Sequence, residues 1–407
     1  MSNTGLRKIS VVYVTDDKYA MPTCISMLSL KDSLREGCMA KVYVICDKVQ
    51  KDSVEKILCL NEERFQVEII NVENAAYLKL AESCLSFGTN YVTASALFKF
   101  NICNILGKED KVLYLDGDTL IQGDLEELYG MNLDGDYVAA VDDQLDRVIG
   151  GQSQMAAQSD ISAGHYFNSG IMLFNLKKMR EDDIYTQLMD YRKNGKNYFM
   201  DQDTFNAILN GKRKILPYKY NFMTTCIDHY DPCEISERFF DGKQNSVDEC
   251  INCAVIVHLT GKYKPWEYNM PWFSERFLKY YEESPFSKEK IKLKSITKVL
   301  QGVIDDGAKY IFPYEKIEKS ERIILYGAGR IGKMYYRQIL ATGYCEIADW
   351  VDADFTNKSA SIHSPELIKS TKFSKILIGI ASERIAAEVK TKLVESYQID
   401  PQSIITA

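Results

Sequence analysis

The sequence has no long apolar segment and no excess of basic residues. None of its 407 residues lies in a stretch with the length and apolarity of a membrane span, and residues 1–15 lack the apolar region of a signal peptide. The formal net charge of −7 argues against general nucleic-acid binding, which needs a basic surface. We therefore expect a cytoplasmic protein with no nucleic-acid partner.

The cysteines lack the regular spacing of a disulfide framework. There are eleven, an odd number, and we expect reduced thiols. Cys250 and Cys253 form a CxxC without a second pair at zinc-like spacing, so we interpret them as buried small residues. What is present is typical of a globular protein: 46% of residues are hydrophobic, and the length suggests two or three domains.

The first half of the chain alternates short apolar runs with helical patterns. Continuous Val/Ile runs separated by helices predict an α/β fold with a mostly parallel sheet flanked by helices. The predicted strands are KISVVYV, AKVYVICD, FQVEIINV and KVLYL, and the predicted helices are MPTCISMLSLKDSL, VQKDSVEKILCLNE and TASALFKFNICNIL.

The pattern D-x-D occurs four times, so only its surroundings can give it meaning. Asp116 and Asp118 directly follow the strand KVLYL, at the strand end where ligands bind in open α/β sheets. The other three pairs precede a strand, open a helical pattern, or belong to the C-terminal region: 134–136, 201–203 and 352–354. Position therefore favours the first pair.

Two carboxylates at this spacing can bind one cation. In extended backbone, residues i and i+2 face the same way, and Gly117 between them allows a close approach. Hard oxygen ligands suit Mg²⁺ or Mn²⁺ bound together with substrate phosphates. His258 ends the run AVIVH, so we expect it at the same rim of the sheet, where an imidazole favours Mn²⁺. The alternative is a structural histidine.

Two further segments carry candidate contacts. In HLTGKYKPW, Gly261 can bring a backbone N–H to a phosphate and Lys264 can supply a charge. In HYFNSGIMLFNL, Asn168 and Ser169 enter a strand, and on this segment alone a turn before the strand is the preferred interpretation.

These blocks, in this order, resemble glycosyltransferase family 8, which includes bacterial galactosyl- and glucosyltransferases. The resemblance covers roughly residues 8–273 and rests on VVYVTDDKYA, LFKFNICNILGKEDKVLYLDGDTL, YFNSGIMLFNLKKMR, DQDTFNAIL and HLTGKYKPW. It implies a GT-A fold, a Mn²⁺-dependent site (Mg²⁺ being the alternative) and retention at the anomeric carbon. The implied reaction moves galactose or glucose from a UDP-hexose to a sugar hydroxyl of a cell-surface glycan or glycoprotein.

The resemblance also implies roles for individual residues. Asp116, Asp118 and His258 match the metal ligands. The implied nucleotide-binding residues are Thr15, Asp16, Tyr19, Lys99, Gly261 and Lys264, and the implied donor-sugar and catalytic residues are Asp143, Asn168, Ser169, Asp201 and Gln202. Lys18 departs from the asparagine common in the family, and Asp142 could replace Asp143. Because an amide is a poor nucleophile, Gln202 favours attack from the face of departure over a covalent intermediate.

The C-terminal third differs in character. We expect a GT-A domain over 1–273, a helical linker over 274–320 and a small Rossmann-like domain over 321–407. The basic segment 288–300 is interpreted as a packed linker helix or as a contact for the inner face of a membrane. Gly327, Gly329, Gly332 and Asp352 have dinucleotide-fingerprint spacing. The region is short for a dinucleotide domain, so we expect docking of an acceptor or subunit, with NAD binding as the alternative. For the whole chain, the alternative to a transferase is a non-catalytic or NAD-binding protein that uses this glycine-rich region.

Overall fold

The computed structural model describes residues 6–73, 75–81, 94–195, 197–230, 232–244, 246–261, 263–268, 273–291, 311–357 and 362–406. The chain forms two compact units. The first contains Met1–Cys226, Ile251–Lys262 and Lys279–Glu289, and the second contains Ile227–Cys250, Tyr263–Leu278 and Lys290–Ala407. The boundaries expected at residues 273 and 320 stay predictions.

A seven-stranded sheet forms the centre of the first unit. Six of its strands run parallel to one another and β9 runs antiparallel, in the order β10-β6-β9-β4-β1-β2-β3, so the mostly parallel sheet is confirmed. Two short strands, β7 and β8, pair as a separate hairpin. The strands of this unit are β1 Arg7–Thr15, β2 Cys38–Cys46, β3 Phe65–Asn71, β4 Lys111–Leu115, β5 Thr119–Ile121, β6 Val138–Asp142, β7 Val148–Ile149, β8 Gln152–Ser153, β9 Phe167–Asn175, β10 Arg213–Ile215, β11 Phe222–Met223 and β12 Ile256–His258.

Helices lie between and after these strands in the sequence, and α10 belongs to the second unit. Their bounds are α1 Ala20–Asp32, α2 Lys51–Leu58, α3 Ala75–Ala81, α4 Ile102–Ile105, α5 Glu126–Gly130, α6 Gln154–Gln158, α7 Leu176–Glu181, α8 Ile184–Asn194, α9 Met200–Leu209, α10 Pro232–Phe239, α11 Val247–Cys253 and α12 Ser274–Glu283. The run TASALFKFNICNIL, predicted as one helix, is a 3₁₀ helix over Ala94–Asn101 followed by α4. Within the described ranges, no helix is both long and apolar enough to cross a membrane.

The buried strands β4 and β9 pack against apolar side chains of the helices. Phe98 and Phe100 of the 3₁₀ helix and Phe205 of α9 are completely buried in the same cluster as Phe174 of β9. Burial of such aromatic side chains stabilises a fold by about 1.5–3 kcal/mol each. This packing holds the carboxyl end of β4 against the core, and Asp116 is the first residue after this strand.

The strand that carries His258 does not belong to the main sheet, contrary to expectation. It lies in a three-stranded sheet of order β11-β12-β5, where β12 pairs antiparallel with β5. Because β5 starts directly after Asp118, this pairing sets His258 opposite Thr119. The small sheet thus brings the histidine to the rim of the main sheet by a different route.

The segment Asn168-Ser169-Gly170 lies inside β9 and not in a turn before it. Phe167 already pairs with Asp142 of β6, so the preferred interpretation from sequence was wrong. The second D-G-D lies where it was predicted, in a turn before β6, and Asp134 there is exposed with φ 46°. Of the basic segment 288–300, residues 292–300 lie outside the described residues, so neither of its interpretations is decided.

The C-terminal part of the second unit contains a parallel four-stranded sheet in the order β14-β13-β15-β16. Its elements are β13 Arg322–Tyr326, α13 Arg330–Thr342, β14 Glu346–Val351, β15 Lys375–Ile378, α14 Glu383–Tyr397 and β16 Ile404–Thr406. The glycine-rich turn joins β13 to α13. A Cβ at Gly332 would lie 1.8 Å from the Gly327 carbonyl oxygen, so only glycine allows this helix to approach the strand so closely.

Candidate functional site

The first D-G-D forms the turn between β4 and β5. A Cβ at Gly117 would lie 2.3 Å from Oγ1 of Thr23 in α1, which explains the glycine between the carboxylates. Asp118 is 8% exposed, and its carbonyl oxygen accepts a 2.8 Å hydrogen bond from the Leu259 N–H. The turn is therefore held by α1 on one side and by the residue after His258 on the other.

Asp116, Asp118 and His258 come together as predicted. The Nε2 atom of His258 lies 3.3 Å from Oδ1 of Asp118 and 3.6 Å from Oδ2 of Asp116. The three candidate ligand atoms lie within 4.8 Å of one another. Two carboxylates and one imidazole fit Mn²⁺, and also Mg²⁺ if waters or phosphates complete the coordination.

Asn221, which the sequence did not single out, holds the histidine from behind. Its Oδ1 lies 3.1 Å from Nδ1 of His258, and its Nδ2 donates a 2.9 Å hydrogen bond to Oδ1 of Asn168. Gly170 forms the adjoining wall, because a Cβ there would lie 2.1 Å from Cε1 of His258. The imidazole is thus fixed in position and in orientation.

Lys99 lies between two carboxylates at the base of the site. Its Nζ is 3.0 Å from Oδ1 of Asp116 and 2.9 Å from Oδ2 of Asp201. Burial lowers the pKa of Lys99, but the charges of Asp116 and Asp201 outweigh that effect and hold the pKa above its ordinary value. Burial also raises the pKa of Asp116, which Lys99 opposes. Tyr114 donates a hydrogen bond to the same Oδ1 of Asp116.

Asn168, Ser169, Gln202 and Asp143 form a hydrogen-bonded group beside the candidate metal ligands. Asn168 Nδ2 and the Ser169 N–H both donate to Oε1 of Gln202 at 3.0 Å. Gln202 Nε2 donates to Oδ2 of Asp143 at 3.2 Å. Burial raises the pKa of Asp143, while hydrogen bonds from the Leu145 N–H and both amides oppose the shift.

The two carboxylates of D-Q-D have different surroundings. Asp201 points towards the site, where it accepts hydrogen bonds from Lys99 and from Oγ of Ser169 at 2.8 Å. Asp203 accepts from Tyr166 at 2.5 Å and from the N–H groups of Tyr198 and Phe199, which satisfies donors at the start of α9. Asp201 is thus a site residue and Asp203 fixes the helix that carries it.

Among the predicted nucleotide contacts, Thr15 ends β1, Asp16 follows it, and Gly261 lies three residues after β12. Oγ1 of Thr15 is 3.0 Å from Oγ1 of Thr23, and Oδ1 of Asp16 accepts a 3.0 Å hydrogen bond from the Tyr19 N–H. Gly261 has a φ of 82°, a conformation that favours glycine. Lys264 is buried in the second unit. The roles of these residues towards a nucleotide stay predictions.

In the C-terminal sheet, Asp352 serves the glycine-rich turn itself. Its Oδ2 accepts a 2.6 Å hydrogen bond from the Ala328 N–H, and its Oδ1 accepts from the Asp354 N–H. A dinucleotide site would use this carboxylate to hold a ribose. Docking of an acceptor or subunit by this region, and NAD binding as its alternative, both stay predictions.

A mostly parallel sheet with an Asp-x-Asp turn and a histidine at its rim is the arrangement that the resemblance to GT-A glycosyltransferases implies. The model of glycosyl transferase family 8 matches residues 10–270. The chain belongs to this family, so the resemblance inferred from the motifs is confirmed.

Relatives of known activity agree with this membership. The chain is 26% identical over 295 residues to lipopolysaccharide 1,2-glucosyltransferase of Escherichia coli, covering 69% of this chain and 80% of the relative. It is 24% identical, with the same coverage, to lipopolysaccharide 1,3-galactosyltransferase of Salmonella typhimurium. The crystal structure of the galactosyltransferase LgtC with donor and acceptor sugar analogues matches with a TM-score of 0.54 and 21% identity, covering 68% of this chain and 96% of that one. The GT-A fold is thereby confirmed.

Proposed function

We propose that this glycosyltransferase moves galactose or glucose from a UDP-hexose to a sugar hydroxyl of a cell-surface glycan or glycoprotein in the cytoplasm. The observation that carries the proposal is the convergence of Asp116, Asp118 and His258 beside the Asp143–Gln202–Asn168 group. The relatives that act on lipopolysaccharide use glucose and galactose, which supports a hexose donor.

Asp116, Asp118 and His258 would hold Mn²⁺, which when bound would draw charge onto the departing diphosphate as a Lewis acid. Lys99 lies between Asp116 and Asp201 and would balance part of the negative charge of these two carboxyl groups in a buried site. The Gly261 N–H and the Lys264 ammonium would add positive potential for the diphosphate.

The hydrogen bonding of Gln202 bears on how the anomeric configuration is retained. Oε1 of Gln202 already accepts two hydrogen bonds, from Asn168 and from the Ser169 N–H. An amide oxygen so engaged is a poor nucleophile, which supports acceptor attack on the face from which the diphosphate departs. In this reaction the anomeric carbon–oxygen bond to UDP breaks, the bond to the acceptor oxygen forms, and the departing phosphate takes the acceptor proton.

The covalent alternative is tested with Gln202→Ala. Same-face attack predicts residual transfer well above background, because the amide only orients the sugar. Loss to background, with donor affinity retained and chemical rescue by formate, would instead show that this side chain is the nucleophile.

The proposed donor is tested by UDP release. We expect release from UDP-galactose or from UDP-glucose in the presence of Mn²⁺, and none in EDTA. NMR of the hexose product would support the retaining reaction if the anomeric configuration is the same as in the donor. Equal release with and without metal, or no binding of either donor, would contradict the proposal.

A further inference from the structure

We propose that Asn221 is a positioning residue that couples the metal ligand His258 to the donor-sugar contacts, an inference that rests on the proposed function. Asn221 is fully buried and bonded on both sides. Four consecutive hydrogen bonds, which we name the amide relay, run from His258 Nδ1 to Asn221, Asn168, Gln202 and finally Asp143, with distances of 3.1, 2.9, 3.0 and 3.2 Å.

Backbone donors fix the direction of the relay. The Gly170 N–H donates to Oδ1 of Asn168 at 3.0 Å, so this atom is the carbonyl oxygen and Nδ2 of Asn168 faces Gln202. The Ser169 N–H likewise donates to the Gln202 atom facing Asn168, which must therefore be Oε1. Backbone N–H groups only donate, so neither amide can be reversed without losing a buried hydrogen bond.

The same logic sets the tautomer of His258. Because Nδ2 of Asn221 donates to Asn168, its Oδ1 faces the imidazole and can only accept. His258 therefore carries its proton on Nδ1, which leaves the lone pair of Nε2 directed towards Asp118. Every bond of the relay points from the metal ligand towards Asp143.

A relay with one direction couples its two ends. A cation held at Nε2 would draw electron density from the imidazole and make Nδ1–H a stronger donor. Aligned hydrogen bonds also polarise one another. Metal binding should therefore strengthen the hydrogen bonds that hold Asn168 and Gln202, the proposed donor-sugar contacts. Conversely, loss of Asn221 should weaken metal binding at His258 and also the hydrogen bonds that hold Asn168 and Gln202.

Two substitutions of Asn221 separate this role from simple packing. In Asn221→Ala, His258 loses its acceptor, and we expect Mn²⁺ affinity to fall about 10- to 100-fold. In Asn221→Asp, one carboxylate oxygen still accepts from His258 while the other opposes Oδ1 of Asn168. We expect Mn²⁺ affinity at least as high as in the wild type, but the preference for UDP-hexose over UDP to fall about tenfold.

The measurements are Mn²⁺ titration of the protein without donor, by electron paramagnetic resonance, and calorimetric titration of UDP and UDP-hexose at saturating Mn²⁺. Asn175→Ala is the matched control, since Asn175 lies at the opposite end of the strand that carries Asn168 and bonds to Asp136 and Lys178. We expect it to leave both affinities unchanged.

The outcomes distinguish the two proposals. If the wild type binds neither Mn²⁺ nor UDP, the proposed function fails. If the wild type binds both and Asn221→Ala does the same with equal affinity, only the relay is overturned. A loss of Mn²⁺ affinity in Asn221→Asp as large as that in Asn221→Ala would also overturn it, because it would mean that the side chain acts through packing alone.

Discussion

Gly170→Ala tests the geometry of the proposed metal site through a residue that has no side chain to act as a ligand. The added methyl group would lie 2.1 Å from Cε1 of His258, 2.7 Å from its Nδ1 and 2.8 Å from Oδ2 of Asp116. Carbon contacts normally lie at about 3.5–4.0 Å, so the imidazole would have to move by more than about 1 Å. Metal sites keep their ligand distances to within about 0.2 Å.

The expected result is a large functional loss at a moderate cost in stability. A misplacement of about 1 Å lowers turnover about 100-fold, whereas overpacking costs about 1–3 kcal/mol in the free energy of unfolding. Mn²⁺ affinity by electron paramagnetic resonance, Mn²⁺-dependent UDP release and urea denaturation measure the three quantities. Gly130→Ala is the control, since a Cβ at Gly130 meets no heavy atom within 4 Å. Unchanged Mn²⁺ affinity in folded Gly170→Ala would refute the reasoning.

Three further predictions follow from the charges around the site. Lys99→Met leaves Asp116 and Asp201 without their buried cation. In EDTA, urea denaturation should show a free energy of unfolding about 3–5 kcal/mol lower than that of the wild type, and Mn²⁺ should restore part of it. An equal loss with and without Mn²⁺ would contradict this prediction. Asp203→Asn should lower the free energy of unfolding by about 1–3 kcal/mol in the same assay, while the folded enzyme keeps its donor affinity. The reason is that Asp203 bonds only to Tyr166 and backbone donors among its described contacts. A selective loss of donor affinity would argue against a structural role. Burial holds the pKa of Asp143 above its ordinary value of 3.8, so its ionisation lowers stability as pH rises through the raised pKa. The free energy of unfolding of Asp143→Asn minus that of the wild type should therefore increase from pH 4 upwards. If this difference stays constant or falls, burial does not destabilise the ionised carboxylate.

The position of the first D-G-D could be predicted because it depends on local sequence alone. A buried strand, KVLYL, ends at Leu115, and the residues after a strand end lie at the rim of the sheet. The same reasoning set aside the second D-G-D, which lies in an exposed turn. His258 was expected at the same rim because it ends an apolar run, and the family resemblance then matched it to a metal ligand.

The strand pairing that places His258 at the site could not be predicted from the sequence around His258. A run of four apolar residues, AVIV, is compatible with any sheet, and only pairing with β5 decides which sheet it joins. Asn221 and Gly170 were missed for a related reason, since their roles exist only through contacts with His258. The one available signal was an asparagine next to the apolar pair Phe222 and Met223, where a buried amide needs partners.

The two D-G-D motifs allow the most direct test of the central claim. Asp118→Asn and Asp136→Asn make the same chemical change at the same position of the same tripeptide. The account predicts that Mn²⁺-dependent UDP release from UDP-galactose or UDP-glucose is lost in Asp118→Asn and kept in Asp136→Asn. Release that survives in Asp118→Asn, or falls equally in both, would contradict a metal site at Asp116, Asp118 and His258.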